Sequence, residues 1–360
     1  MERKSRNFAR RRAAVLTVLA ALLASLALAA CGGGGSSSSS STSSSSGSGS
    51  SGSSSSATTA SSSSASTQGV TVNLGILQGA TLAAVAKHIG SLEEELGKQG
   101  AKVSYQGPFP AMVPAVEAMN AGDVDITYGS ISASVGALAG NSDFKIFAIE
   151  PEQPTNEGII VSKDSGITSL ADLKGKKIAV NEAGTGEYLA LLALQKAGLS
   201  KSDVTLVNLA PPEAAAAFGS GQVDAWATWS SFTGLAEDEM GGKMLIDGGE
   251  LGSLNDTPFI VTTSFAEKYP TLVKAVYEGL QDAATWIAEN QSEATKFYEE
   301  EGLSPSVAKA QAKAGNKLEA ITEPAQTERF QKVADFVYEQ GVVPSEVDMS
   351  ERTFNVEEAK

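Results

Sequence analysis

Three short stretches of this chain set glycine and a hydroxyl side chain between an apolar run and the start of a helical pattern: Gln78-Gly79-Ala80-Thr81, Tyr128-Gly129-Ser130-Ile131 and Ala183-Gly184-Thr185-Gly186. The first amide groups of a helix have no carbonyl partner within it, and here each set lies beside a group that can itself hydrogen-bond. Aligned peptide dipoles add partial positive charge, so the chemistry on offer is capture of an anionic group rather than bond making. Gln78, Gly129, Ser130, Gly184, Thr185 and Gly186 are the resulting ligand-binding candidates. Thr185 leads them, because glycines on both sides permit tight turns or close backbone approach. Two roles are open to its hydroxyl: capping the helix or addressing a ligand. Scattered over a surface, the three turns would be ordinary caps. Converging on one cleft, each would contribute roughly 0.3 to 1 kcal/mol toward an anion, besides direct hydrogen bonds.

A second constellation is Asp224-Ala225-Trp226-Ala227-Thr228-Trp229-Ser230-Ser231-Phe232, dense in aromatic residues for a chain in which they make up 6%. Aromatic side chains give a cleft apolar walls with polar edges. Trp229 and Ser230, at an expected turn, are wall candidates, Trp226 fits a core position, and Phe109, ahead of Pro110 and a helix, is open to either. Glu187 places a carboxylate just after the Thr185 turn. For catalysis the inventory is poor. The one histidine, His88, sits in a helical run, and no Ser-His-Asp set, His-rich metal site or Gly-Lys-Ser/Thr phosphate loop can be assembled. Glu93-Glu94-Glu95 and Glu299-Glu300-Glu301 read as solvated helix faces. A carboxylate pair acting as acid and base keeps an enzyme open. No metal or cofactor is expected.

These residues need a scaffold that aims several strand-to-helix turns at one place. Apolar patterning predicts strands at residues 70–76, 101–106, 124–128 and 144–149, with helices between them, residues 82–96 forming one. Such alternation predicts a parallel sheet covered by helices. Residues 150–157, with Pro151 and Pro154, interrupt it. A second alternating unit then runs to about Asn255: a strand at Lys177, a helix at 187–197, a strand at 204–209, a helix at 213–220. Residues 259–263 read as a return strand and the remainder as helices. The expected fold class is α/β, two lobes that are each a sheet flanked by helices, with two hinge crossovers and a helical C-terminal region. Lobe I is residues 70–152 plus 260–360, and lobe II is 153–259. Clefts between lobes are where small ligands settle.

Residues 1–30 are not part of that scaffold. A basic start, an apolar run over 13–30 and the closing Leu28-Ala29-Ala30-Cys31 read as a secretion signal. The apolar run also just reaches spanning length, which keeps an uncleaved anchor as the alternative. Cys31 is the only cysteine, so it has no disulfide partner, and lipidation is its best use. From Gly32 to Gly69 the chain is almost entirely Ser, Gly, Thr and Ala, a flexible tether spanning roughly 35 Å. Removal of residues 1–30, with six basic residues and one acid, leaves 21 basic and 41 acidic residues and a net charge of −20. That charge argues against a nucleic-acid partner.

Five segments carry a family resemblance: residues 117–125 (Glu-Ala-Met-Asn-Ala-Gly-Asp-Val-Asp), 169–177 (Ser-Leu-Ala-Asp-Leu-Lys-Gly-Lys-Lys), 194–199 (Leu-Gln-Lys-Ala-Gly-Leu), 217–226 (Ala-Phe-Gly-Ser-Gly-Gln-Val-Asp-Ala-Trp) and 265–270 (Phe-Ala-Glu-Lys-Tyr-Pro). From Val70 to about Asn290 the chain resembles the substrate-binding proteins of ABC transporters for aliphatic sulfonates, nitrate and taurine, and the Leu-Ala-Ala-Cys stretch resembles a bacterial lipobox. The resemblance implies a type II periplasmic-binding fold that closes over a small anionic, sulfonate-like solute and delivers it to a permease. It also implies a lipid-anchored location outside the cytoplasmic membrane, in the periplasm or at the cell surface. Nitrate or a thiamine-pyrimidine precursor is the alternative solute, and an enzyme on the same scaffold the alternative class. Gly184-Thr185-Gly186 sits where sulfonate binders usually carry a Gly-Ser-Ser or Gly-Ser-Asn turn facing the acid group. Three departures accompany it: Glu187 stands where the family often has His, Trp229-Ser230-Ser231 replaces Trp-Asp-Pro, and Gly129-Ser130 replaces Gly-Asp. Glu187 beside a sulfonate would repel it unless it points away or the ligand also carries a cation.

Overall fold

The computed structural model describes residues 65–151 and 153–360. The expected secretion signal, Cys31 and nearly all of the tether lie outside them. Its strands, in chain order, are β1 (Thr71–Leu77), β2 (Lys102–Phe109), β3 (Ile126–Tyr128), β4 (Phe144–Glu150), β5 (Glu157–Ser162), β6 (Lys177–Val180), β7 (Thr205–Asn208), β8 (Ala225–Trp229), β9 (Gly242–Asp247), β10 (Thr257–Thr262) and β11 (Glu319–Ala320). They form a six-stranded sheet, β11-β4-β10-β3-β1-β2, and a five-stranded one, β7-β6-β8-β5-β9.

Both sheets are mixed, where the alternating pattern predicts parallel ones. β1 runs parallel to β2 and β3, but β10 is antiparallel to β3 and β4. In the second sheet β6 runs parallel to β7 and β8, whereas β5 is antiparallel to β8 and β9. The reason lies in the crossings. Parallel strands with right-handed helical returns all end on the cleft side. A strand that arrives from the other lobe starts at the cleft, so it must run the opposite way. β5 arrives in the second sheet and β10 in the first.

Alternation along the central strands divides the core. Phe147 and Phe259 face the helices Leu82–Ile89, Ser91–Lys98 and Pro270–Glu289, while Ile146 and Ile260 face Met112–Ala121, Ile131–Ala139 and Pro324–Glu339. In the second lobe Ile178 and Val180 pack on helix Thr185–Ala197, and Ala179 and Trp226 on helix Pro211–Gly219. The single helix expected over residues 82–96 is two, because Gly90 at φ 76° turns the chain left-handed between them. Helix Ser231–Asp238 and β9 fall where no element is expected.

The chain crosses between the sheets after Glu150 and returns before Thr257. On the return, Asp256 is 1% exposed and meets Arg329 of helix Pro324–Glu339 through Nη2 to Oδ1 at 3.0 Å and Nε to Oδ2 at 3.2 Å. Its carbonyl accepts from the Ile131 N–H, so residue 256 belongs mechanically to the first lobe. The lobes also touch away from these crossings. Gly234 on helix Ser231–Asp238 lies so near Val307 on helix Pro305–Ala314 that a Cβ there would come within 2.6 Å of Val307 Cγ2. Ser304 Oγ donates to Asp238 Oδ2 at 2.6 Å beside it. No helix among the described residues is long and apolar enough to cross a membrane.

Candidate functional site

Five helices present their first turn to one interlobe cavity of about 210 Å³, room for roughly seven waters. From the first lobe these are Leu82–Ile89, Met112–Ala121 and Ile131–Ala139; from the second, Thr185–Ala197 and Ser231–Asp238. Thr81, Ala111, Ser130, Thr185 and Ser230 mark these termini in the wall. The three glycine-hydroxyl turns therefore converge, and two further termini join them. Among the described residues no Lys, Arg or His lines the cavity, and Glu150 and Glu157 are the ionisable carboxyls in its wall. Five termini together favour an anion by roughly 2 to 5 kcal/mol.

The hydroxyls are ordered by a directional chain of hydrogen bonds. Ser132 Oγ donates to Asn255 Oδ1 at 3.2 Å, which leaves Ser130 to donate to Ser132 at 3.1 Å. Asn255 Nδ2 donates to Thr185 Oγ1 and to Glu157 Oε2, both at 3.1 Å, and Ser253 Oγ donates to Glu157 Oε1 at 2.5 Å. Thr185 thus accepts through its oxygen, and its own hydrogen is engaged by none of the described residues. It does not cap its helix. Gly184 holds the N-cap position, and the Gly186 N–H is taken by Asn181 Oδ1 at 2.6 Å. Across the cavity the Tyr128 hydroxyl accepts from the Leu77 N–H at 2.9 Å and meets Thr81 Oγ1 at 2.8 Å.

Of the ten ligand-binding candidates, Gln78, Gly129, Ser130, Thr185, Trp229 and Ser230 lie together in this wall. The other four do not. Gly184 and Gly186 serve packing, since a Cβ at 184 would come within 1.9 Å of Asn181 Nδ2 and one at 186 within 2.7 Å of the Ala227 carbonyl. The left-handed residue of that turn is Ala183, at φ 51°. Glu187 turns away from the cavity, accepting from the Ala183 N–H at 2.9 Å and pairing with Lys201 Nζ at 3.0 Å. Phe109 closes β2 and packs on the core beside helix Met112–Ala121, leaving Pro110, Ala111 and Met112 to form the wall. Trp226 is core, as expected, and Trp229 stands edge-on to Phe232 with ring centroids 5.9 Å apart. His88 lies outside the cavity, 4.5 Å from the Phe297 ring.

Residues not singled out in advance complete the wall: Glu150, Asn156, Glu157, Asn181, Asn255, Gln311 and Asn316. Four of them flank the crossings, and polar side chains bracketing the proline-interrupted stretch were the available signal. Burial pushes the Glu150 carboxyl up to about 7, opposed by the hydrogen bond from Asn316. The folded protein then binds a proton that the unfolded chain releases near pH 4.5. Apo stability should fall as pH rises between those values, by up to about 3 kcal/mol from this group. In urea melts at a series of pH values, Glu150→Gln should remove that slope; parallel curves for the two proteins would contradict it.

Comparison with known proteins follows the same lines. The family model described as NMT1/THI5 like matches residues 97–294. A putative aliphatic sulfonates-binding protein of Bacillus subtilis is 29% identical over 281 residues, covering 78% of this chain and 84% of that one. The structure of the alkanesulfonate-binding protein SsuA from Xanthomonas axonopodis pv. citri, bound to MOPS, superposes with a TM-score of 0.74 at 27% identity, covering 80% of this chain and 99% of that one. A desulfurization enzyme, DSZB, shares the fold at 16% identity and a TM-score of 0.60, over 79% of this chain and 96% of its own. With more than half of its length matched by that model and two mixed sheets closing on one cleft, the chain belongs to the NMT1/THI5-like family.

Proposed function

We propose that this chain is the extracytoplasmic solute-binding component of an ABC importer, tethered through a lipid on Cys31. It takes a small anionic organic solute of the aliphatic sulfonate class between its lobes and passes it to a membrane permease. The observation that carries this reading is the convergence of five helix N-termini on one small interlobe cavity, with no lysine, arginine or histidine in its wall among the described residues. Amide N–H groups and hydroxyls suit a sulfonate's three oxygens, and the printed roles of the relatives point the same way. Binding is favoured over turnover because the Bacillus subtilis relative and the Xanthomonas structure are both named as binding proteins.

Calorimetric titration of the mature chain with ethanesulfonate, with nitrate as competitor, tests it. Stoichiometric binding of a solute recovered unchanged is the expected result; absence of binding or chemical turnover would sink the reading. Thr185→Val should weaken that binding about three- to hundredfold, the worth of one hydroxyl to a neutral or charged acceptor. The hydroxyl is not a helix cap but accepts from Asn255, so the apo protein should also lose about 1 kcal/mol, less than the loss in binding if the hydroxyl meets a charged acceptor. Unchanged affinity would take this turn out of the site.

A further inference from the structure

Three non-glycine residues among those described hold a positive φ: Asn141, Ala183 and Ser230. Asparagine enters that region routinely, whereas its β-carbon disfavours alanine there by about tenfold in population relative to glycine. Ala183, at φ 51°, stands in the turn between β6 and helix Thr185–Ala197, just ahead of the Thr185 hydroxyl in the cavity wall. What holds it there is Glu187. One carboxylate oxygen accepts from the Ala183 N–H at 2.9 Å and the other from Lys201 Nζ at 3.0 Å, so the acid spans the turn with its direction fixed at both ends. A glutamate at the third helical position ordinarily reaches back to the N-cap amide. This one reaches a residue further, past the Gly184 N–H, which the Asn181 carbonyl takes at 3.3 Å. The Thr185 N–H donates to none of the described residues and stays beside its hydroxyl. The lobes also meet at this turn: a Cβ at Gly136, on helix Ile131–Ala139 of the first lobe, would come within 3.3 Å of Ala183 Cβ and 3.5 Å of its carbonyl oxygen.

We propose that Glu187 is a positioning residue: it braces Ala183 in its left-handed conformation and thereby aims the Thr185 hydroxyl and N–H into the cleft while seating the turn against Gly136. The inference rests on the anion-capture reading and adds to it a residue that touches no solute. Without the brace an alanine relaxes toward negative φ, which rotates the peptide between residues 183 and 184 and carries Thr185 with it. A glycine at 183 has no such preference and needs no brace. A carboxylate that only paired with Lys201 for stability would leave affinity indifferent to residue 183.

Calorimetric titration of the mature protein with ethanesulfonate tests the brace. Glu187→Gln keeps an acceptor for the Ala183 N–H, so its affinity should stay within about threefold of wild type. Glu187→Met, of similar length but without an acceptor, should bind about tenfold more weakly, the population lost from an unbraced alanine. Adding Ala183→Gly to Glu187→Met should return affinity to within about threefold of wild type, although nothing replaces the carboxylate. Equal losses in Glu187→Gln and Glu187→Met, no loss in Glu187→Met, or a loss that glycine does not rescue would each overturn the brace while leaving sulfonate binding by the wild type intact. A wild type that binds no ethanesulfonate would bring down the anion-capture reading and this inference with it. Should Glu187→Met fail to fold, judged by its near-ultraviolet dichroism, amide exchange in the wild type decides. The Ala183 N–H should exchange at least about tenfold more slowly than in a free peptide, and more slowly again with ethanesulfonate. Exchange at the peptide rate, or indifferent to the solute, would overturn the proposal.

Discussion

Arg329→Met should cost the apo protein about 3 kcal/mol, because it removes one partner of an ion pair whose other member, Asp256, is 1% exposed. For a domain of this size that is a fall of roughly 6 to 12 °C in melting temperature. The arginine side chain is itself 39% exposed, which would ordinarily place the pair among surface bridges worth under about 1 kcal/mol. Asp256 decides otherwise. Losing a two-pronged guanidinium leaves a desolvated charge poorly compensated, and the penalty for that exceeds the worth of the bridge. Adding Asp256→Asn to Arg329→Met should therefore recover part of the loss, a sign reversal that a merely additive pair would not give. Thermal melts of the two single variants and the double variant suffice, and a shift below roughly 2 °C for Arg329→Met would place the bridge with the exposed ones.

Asn255→Leu should have the larger effect on binding. The asparagine joins Ser132 of the first lobe to Glu157 and Thr185 of the second, and no apolar side chain reproduces either its donors or its acceptor. Leaving buried polar groups short of partners costs about 1 to 3 kcal/mol each. Water in the cavity can reach Thr185 but not Ser132, so a net loss of about 2 to 4 kcal/mol in stability is expected. Solute affinity should fall more than in Thr185→Val, by about a hundredfold or beyond, since the hydroxyl chain loses its direction as well as a member. Calorimetry at a temperature where the variant remains folded measures this. An affinity within about threefold of wild type would mean that the chain is scaffolding and the amide groups bind alone.

Much of this was legible before any coordinates. Glycine followed by a hydroxyl at a strand-to-helix turn is a local signature, so Ser130 and Thr185 could be read as helix-terminal residues from neighbours alone, and Pro151 and Pro154 marked the first crossing. What could not be read was direction. Whether Glu187 faces the cavity depends on Lys201, fourteen residues along and on another element, and Phe109 versus Pro110 is a matter of one residue's rotation where a strand ends. Sheet polarity departs from the expected parallel order for a similar reason: β5 and β10 look like their neighbours in sequence, and only entry from the opposite lobe reverses them. Asn255, Glu150 and Asn316 became a site through contacts across 70 to 166 positions. No window of sequence contains such a contact.

The abutment of Gly234 on Val307 has a kinetic meaning beyond its packing. Helices Ser231–Asp238 and Pro305–Ala314 belong to different lobes, so the lobes cannot part without pulling that glycine off its neighbour and freeing Asp238 from Ser304. Escape of a trapped molecule then requires this separation as well as release from the cavity wall. A glycine makes the seam shut flush, a hydroxyl and a carboxylate make it easy to wet and reopen, and a membrane partner that pries there would trigger unloading without touching the cargo.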